Sequence, residues 1–107
     1  MPARITIEQA AIAAFCRQWG LVELALFGSV LRDDFRADSD VDVLATFAPG
    51  RRPSLDDLLG MQDELEAIFG RKVDLVERRG LERGRNYLLR QHILTHSEPI
   101  YFASHVA

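Results

Sequence analysis

Hydrophobic and polar positions along the chain alternate between a helical and a two-residue period, which predicts helices mixed with short strands. Apolar residues at helical spacing predict a first helix from about Ile7 to Trp19, introduced by a capping box at Thr6 and Gln9. The apolar run that follows, "LVELALF", predicts a buried strand.

The second half of the chain repeats this alternation. The run "VDVLATF" predicts a second strand, and "APGRRP" predicts a loop because proline and glycine interrupt regular structure. A capping box at Ser54 and Asp57 introduces a long amphipathic helix, and "KVDLVE" predicts a third strand. Apolar spacing from about Leu81 to His96 predicts a last helix interrupted near Gly84, and "PIYF" predicts a short strand or an extended tail.

Length and composition favour one soluble domain spanning residues 1–107. No apolar run reaches the roughly 18 residues that a membrane helix needs, and the N-terminus lacks the apolar core of a secretory signal. Cys16 is the single cysteine, so an intrachain disulfide is impossible. These features predict a cytoplasmic protein without membrane contact. The net charge of −3 argues mildly against direct nucleic-acid binding.

Basic residues concentrate in one segment late in the chain: Arg78, Arg79, Arg83, Arg85 and Arg90. The favoured interpretation is the solvated face of a helix, since most charge runs have that role. The alternative is a patch for a phosphate-bearing ligand or an acidic partner.

Three aspartates lie in the predicted strands or directly before them. Asp40 and Asp42 are two residues apart, so in a strand both carboxylates project from one face. Carboxylates this close repel each other unless a cation lies between them, and hard oxygen ligands suit Mg²⁺. Asp74, in the third predicted strand, could lie beside the first two. The alternative is that the acidic pair protects a sheet edge from aggregation.

A Gly28-Ser29 pair follows the first predicted strand. Glycine lets the backbone approach a ligand closely, and the N–H groups of a following helix favour phosphate. A phosphate site beside a carboxylate metal site is suited to a nucleoside triphosphate.

The spacing of these elements resembles a known family. Gly28-Ser29, ten residues and then Asp40-Val41-Asp42 resembles the DNA polymerase β-like nucleotidyltransferases. The longer run "GSVLRDDFRADSDVDVLATF" resembles the minimal nucleotidyltransferase (MNT) family, and the resemblance covers nearly the whole chain. It implies an α/β (α+β) fold: a short mixed β-sheet flanked by helices, the polymerase β-like nucleotidyltransferase fold.

The resemblance also implies a role for each motif residue. Asp40 and Asp42 would bind two Mg²⁺ ions, and Asp74 would ligate one ion and orient or deprotonate the attacking hydroxyl. Gly28 and Ser29 would hold the terminal phosphates of ATP, the nucleotide donor.

Arg32 could support the phosphates or pair with a neighbouring aspartate. The sequence departs from the family pattern at this point, because Arg32-Asp33-Asp34 stands where members often have Arg-Gly-Asp or Arg-Gly-Glu. This change removes no metal ligand.

Small MNT proteins are commonly antitoxins that transfer AMP from ATP to a tyrosine hydroxyl of a HEPN-domain ribonuclease toxin. The resemblance implies the same activity here, within a hetero-oligomer, because the chain is short for carrying its own acceptor site. One alternative is an antitoxin that blocks the toxin sterically without catalysis. A less favoured one is a nucleotidyltransferase acting on a small molecule, which needs additional chain to bind its acceptor.

Four further residues have plain structural interpretations. His92 and His96 are spaced to share a zinc ion, but no Glu or Cys completes a ligand set, which favours two exposed helix histidines. Cys16 and Trp19 are interpreted as packing residues. Tyr101 is left open between packing and a contact with nucleotide or partner.

Overall fold

The computed structural model describes residues 5, 7–31, 36, 39–82 and 87–103, with side chains described except at 81–82 and 87–90. The helices and strands follow in chain order: α1 (Gln9–Trp19), β1 (Leu21–Phe27), a 3₁₀ helix (Gly28–Leu31), β2 (Val41–Phe47), α2 (Leu55–Phe69), β3 (Val73–Glu77), α3 (Arg78–Glu82), α4 (Tyr87–Thr95) and β4 (Glu98–Phe102).

The four strands form one mixed sheet in the order β3-β2-β1-β4. Strand β1 is antiparallel to both β2 and β4, whereas β2 and β3 are parallel, with α2 as the crossover connection. This arrangement confirms the predicted mixed sheet with flanking helices.

The sheet has two different faces because successive strand residues point to opposite sides. One face packs against α1 and α2 and forms the main core, which contains among others Ile12, Leu24, Leu26, Val41, Val43, Met61 and Leu65, all fully buried. The opposite face has a smaller cluster formed by Ala25, Phe27, Leu44 and Ile93. Helix α4 supplies Ile93 and therefore covers part of this second face.

Helix α1 begins two residues later than the sequence predicts. It starts at Gln9 with Glu8 as its N-cap, and Glu8 makes no side-chain capping bond. Thr6, the predicted cap, lies outside the described residues. The predicted end is confirmed, since Gly20 adopts the left-handed conformation and its N–H donates to the carbonyl oxygen of Cys16.

The capping box at the start of α2 is confirmed. The Asp57 N–H donates to Ser54 Oγ and the Ser54 N–H donates to Asp57 Oδ2, both at 3.0 Å. The helix ends at Gly70, whose N–H donates to Glu66 O at 2.8 Å.

The C-terminal part follows its prediction in outline. Helices α3 and α4 lie on either side of residues 83–86, which include the predicted interruption at Gly84 and lie outside the described residues. Helix α3 begins at Arg78, three residues before the predicted start at Leu81. The "PIYF" segment is strand β4 rather than a tail, because it pairs with β1. No helix within the described ranges is long and apolar enough to cross a membrane.

Candidate active site

The Gly28-Ser29 pair lies directly after β1, at the start of the 3₁₀ helix. Gly28 has φ +77°, a left-handed conformation that side chains other than glycine rarely adopt. Val30, the next residue but one, is fully buried and anchors this turn in the core. Gly28 and Ser29 remain partly accessible at the end of the sheet.

The carboxylate of Asp42 lies against the backbone of Gly28. The antiparallel register pairs Phe27 with Asp42, which brings the start of β2 beside the end of β1. A Cβ placed on Gly28 would overlap Asp42 Oδ2 and lie 3.1 Å from the Asp42 carboxyl carbon. The absence of a side chain at residue 28 is therefore what makes room for this carboxylate.

Asp74 is the register partner of Asp42 on the neighbouring parallel strand. Aligned residues on adjacent strands point to the same face, and adjacent strands lie about 4.8 Å apart. Asp42 is partly buried and Asp74 is exposed. The sheet therefore aligns two of the three predicted carboxylates at one end of its second face.

Asp40 lies one residue before β2 and is exposed. The Val41 N–H donates to Lys72 O at 2.9 Å, so the β2–β3 ladder starts immediately after Asp40. Among the described residues, no three His, Cys, Asp or Glu side chains are grouped closely enough to hold a metal ion. The metal roles of Asp40, Asp42 and Asp74 therefore stay predictions.

The donor chemistry of this end of the sheet fits a magnesium ion. The candidate ligands are all carboxylate oxygens, the donor type that Mg²⁺ prefers. Arg32 lies outside the described residues, as do Asp33, Asp34 and Asp38, so its phosphate role also stays a prediction.

Sequence reasoning missed two polar side chains beside this site. Glu66 Oε2 accepts a hydrogen bond from the Val73 N–H at 3.1 Å and so ties α2 to the start of β3. Arg71 Nη1 donates to the carbonyl oxygens of Arg36 and Ser39. Glu66 lies in the last turn of α2, and Arg71 lies between α2 and β3. No local spacing in the sequence indicates that a side chain binds the backbone of a distant segment.

Arg78, the first residue of the basic run, does not lie on a solvated face. Arg78 is partly buried, and its Nε donates to Thr46 Oγ1 at 2.9 Å while its Nη2 lies 3.4 Å from Glu23 Oε1. This contact lies at the end of β2 opposite Asp42. Arg83 and Arg85 lie outside the described residues, as does the side chain of Arg90.

The histidine pair is exposed on α4 and at its end, as predicted. The two rings stack with centroids 4.3 Å apart, and His96 Nδ1 lies 2.9 Å from His92 O. Cys16 is fully buried, and Trp19 packs against the core while its Nε1 donates to Glu64 Oε2 at 2.8 Å. Cys16 and Trp19 are therefore packing residues as predicted. Tyr101 is partly buried against the same core, and a contact of its exposed part with nucleotide or partner stays a prediction.

The chain matches the nucleotidyltransferase domain family over residues 9–97. It is 39% identical over 67 residues to the protein adenylyltransferase MntA of Thermococcus cleftensis. That match covers 63% of this chain and 66% of the relative, just under two thirds of the relative's length.

Solved structures share the fold. A minimal nucleotidyltransferase structure is 35% identical with a TM-score of 0.66, and the match covers 85% of this chain and 87% of that one. A chain in the structure of tri-AMPylated Shewanella oneidensis HEPN toxin in complex with MNT antitoxin is 21% identical with a TM-score of 0.62. That match covers 89% of this chain and 70% of the other. The family match over most of the chain, the identical residues and the shared fold agree: this chain belongs to the nucleotidyltransferase domain family.

Proposed function

We propose that this protein is a magnesium-dependent adenylyltransferase and an antitoxin, which transfers AMP from ATP to a tyrosine hydroxyl of a HEPN-domain toxin. The proposal rests on one observation at the end of the sheet: the Asp42 carboxylate lies against Gly28, and Asp74 is the register partner of Asp42. This arrangement belongs to a chain of the nucleotidyltransferase domain family.

Each residue has a defined task in the proposed reaction. Asp40, Asp42 and Asp74 would hold two magnesium ions, while the backbone at Gly28 and Ser29 would bind the terminal phosphates. Magnesium supplies charge neutralisation for the phosphates and for the attacking and leaving oxygens.

The proposed chemistry is an in-line displacement at the α-phosphorus. The tyrosine oxygen forms a bond to phosphorus, the bond from phosphorus to pyrophosphate breaks, and Asp74 receives the hydroxyl proton. Positioning of the two reactants supplies much of the rate enhancement in this type of reaction.

The relatives support a protein acceptor and a toxin partner. The Thermococcus cleftensis relative is a protein adenylyltransferase, and the Shewanella oneidensis toxin in the structural relative carries three AMP groups beside its MNT antitoxin. We therefore propose a hetero-oligomer with a HEPN toxin in the cytoplasm, with one domain formed by residues 1–107. Neither a membrane nor a nucleic acid is part of the proposed activity.

Mass spectrometry tests the transfer. The protein is incubated with Mg²⁺, ATP and the HEPN protein encoded beside it, and the HEPN protein is then weighed. We expect mass gains in multiples of AMP on tyrosine. Asp42→Asn should reduce the rate about 100-fold or more, because it removes a charge that binds metal in the transition state. Asp63→Asn, an exposed aspartate on α2, is the matched control and should leave the rate unchanged.

A second candidate is an antitoxin that acts by binding alone. It is favoured by the finding that, in the part of the chain that the structure describes, no three acidic, histidine or cysteine side chains are grouped for a metal. Toxin neutralisation in cells by the Asp40→Asn, Asp42→Asn double variant separates the two. Full neutralisation without AMP transfer would establish binding alone and reject the catalytic proposal.

A further inference from the structure

The segment that precedes Asp40 is held by a closed turn. Ser39 N–H donates to Arg36 O at 3.1 Å, and Arg36 N–H donates back to Ser39 Oγ at 3.0 Å. The turn ends one residue before Asp40, so its position determines where the Asp40 backbone begins. Both residues lie outside the strands, and the sheet ladder begins only at Val41.

Arg71 connects this turn to the beginning of β3. Its Nη1 donates to Arg36 O at 3.0 Å and to Ser39 O at 3.3 Å. Hydrogen bonds from a charged guanidinium are stronger than neutral ones, and the planar group has a fixed donor geometry. The contact joins residues that are 35 and 32 positions apart in the chain.

The contact lies between the two chain segments that carry Asp40 and Asp74. Asp40 directly follows Ser39, and Asp74 follows Arg71 by three residues. Between them, Val41 N–H donates to Lys72 O at 2.9 Å. The side chain of Arg71 and this backbone bond therefore fix the start of β2 against the start of β3.

We infer that Arg71 is a positioning residue, which holds the backbone before Asp40 against the start of β3 and so limits where the Asp40 carboxylate can meet magnesium. The effect of Arg71 on magnesium binding rests on the proposed function, whereas its effect on the turn does not. Arg71 acts through two backbone carbonyls, so its contribution depends on donor geometry and not on charge alone. Lysine keeps the charge but carries it on a shorter side chain without the planar group, and it is expected to replace arginine only in part.

The plainer alternative is an arginine that contributes only to general stability. Under that alternative, replacing Arg71 lowers the melting temperature and leaves both the turn and the magnesium requirement unchanged. The two explanations therefore differ in local amide exchange and in metal dependence.

The experiment compares Arg71→Gln and Arg71→Lys with the wild type, using Arg52→Gln as a matched control. Arg52 is an exposed arginine in the loop after β2, at the other end of that strand. The first readout is hydrogen exchange of the Ser39 and Val41 amides without ligand. The second is the Mg²⁺ concentration that gives half-maximal binding of an ATP analogue with a non-hydrolysable α,β-bridge.

We expect Arg71→Gln to accelerate exchange at Ser39 about tenfold, the change expected when a charge-assisted hydrogen bond is lost. The half-saturating Mg²⁺ concentration should rise about tenfold, as it does when residues that orient metal ligands are replaced. Arg71→Lys should fall between wild type and Arg71→Gln, and Arg52→Gln should match the wild type.

Unchanged Ser39 exchange in Arg71→Gln would overturn the inference, whatever happens to the melting temperature. Faster exchange with an unchanged half-saturating Mg²⁺ concentration would also overturn it, because the turn would then not position a metal ligand. A wild-type protein that binds no nucleotide with Mg²⁺ present rejects the proposed function instead, and the exchange measurement still decides whether Arg71 holds the turn.

Discussion

Gly28 shows how the absence of one side chain shapes the candidate active site. Its backbone is left-handed, and a Cβ there would overlap the Asp42 carboxylate. The sequence pattern indicated one reason for Gly28, namely that a glycine lets the backbone approach phosphate closely. The described contact adds a second reason, because the same missing Cβ leaves room for an aspartate across the strand pair. That reason involves residues 14 positions apart and could not be read from local spacing.

We therefore predict that Gly28→Ala weakens magnesium-dependent nucleotide binding and also destabilises the fold. A left-handed backbone costs a residue with a Cβ about 1–2 kcal/mol, and the Asp42 carboxylate must move in addition. Urea denaturation and nucleotide titration measure the two effects. Gly50→Ala is the matched control, since Gly50 has φ +86° and no atom within 4 Å of an added Cβ. The control should lose a similar backbone contribution and keep nucleotide binding; equal binding by both variants would contradict the prediction.

The elements differ in how well the sequence predicted them. Strands β1 and β2 were predicted residue for residue, because their apolar runs are buried and bounded by glycine or by acidic residues. The last helix was predicted to begin near Leu81 and to be interrupted near Gly84, and the chain forms α3 from Arg78 and α4 from Tyr87. The earlier start of α3 went unpredicted because apolar spacing gives no signal at Arg78, whose side chain bonds to Thr46 of β2.

The start of α2 gives a prediction at the scale of one element. Ser54→Ala removes the acceptor for the Asp57 N–H and should lower the free energy of unfolding by about 1 kcal/mol. Ser54→Thr keeps a hydroxyl and should retain most of that stability. Nucleotide binding should stay unchanged in both, because the capping box lies at the start of α2, far in sequence from Arg71 and Asp74. Thermal and urea unfolding measure the stability; a loss below 0.3 kcal/mol would show that the cap is dispensable, on the roughly 0.5–2 kcal/mol scale of such caps.

At the scale of the whole molecule, the second face of the sheet changes in character along its strands. Asp42 and Asp74 are at one end, Leu44 packs with Ile93 in the middle, and Thr46 binds Arg78 at the other end. The opposite face carries the main apolar core. The candidate site and the main core therefore lie on different faces of the sheet. The two-residue period predicted the core residues of β2 and the opposite direction of Asp42, whereas Asp40 lies before the strand and the cross-connections of Arg71 and Arg78 went unpredicted.

Cys16, in the main core, makes global stability depend on alkaline pH. Burial raises the pKa of its thiol from 9.0 to about 12, and the nearby Arg17 opposes this shift only in part. Below pH 9 the thiol is protonated in the folded and unfolded states alike. Between pH 9 and 12 it ionises mainly when the chain is unfolded, so the free energy of unfolding should fall as pH rises. The limiting slope for one group is about 1.4 kcal/mol per pH unit.

Cys16→Ala removes this titration while creating a small cavity that is independent of pH. We therefore expect the stability difference between wild type and Cys16→Ala to shrink by about 1–2 kcal/mol between pH 8.5 and 10.5. Urea denaturation at a series of pH values, under reducing conditions, measures that difference. A constant difference would mean that the thiol ionises equally in both states, which a fully buried side chain in a rigid core would not allow.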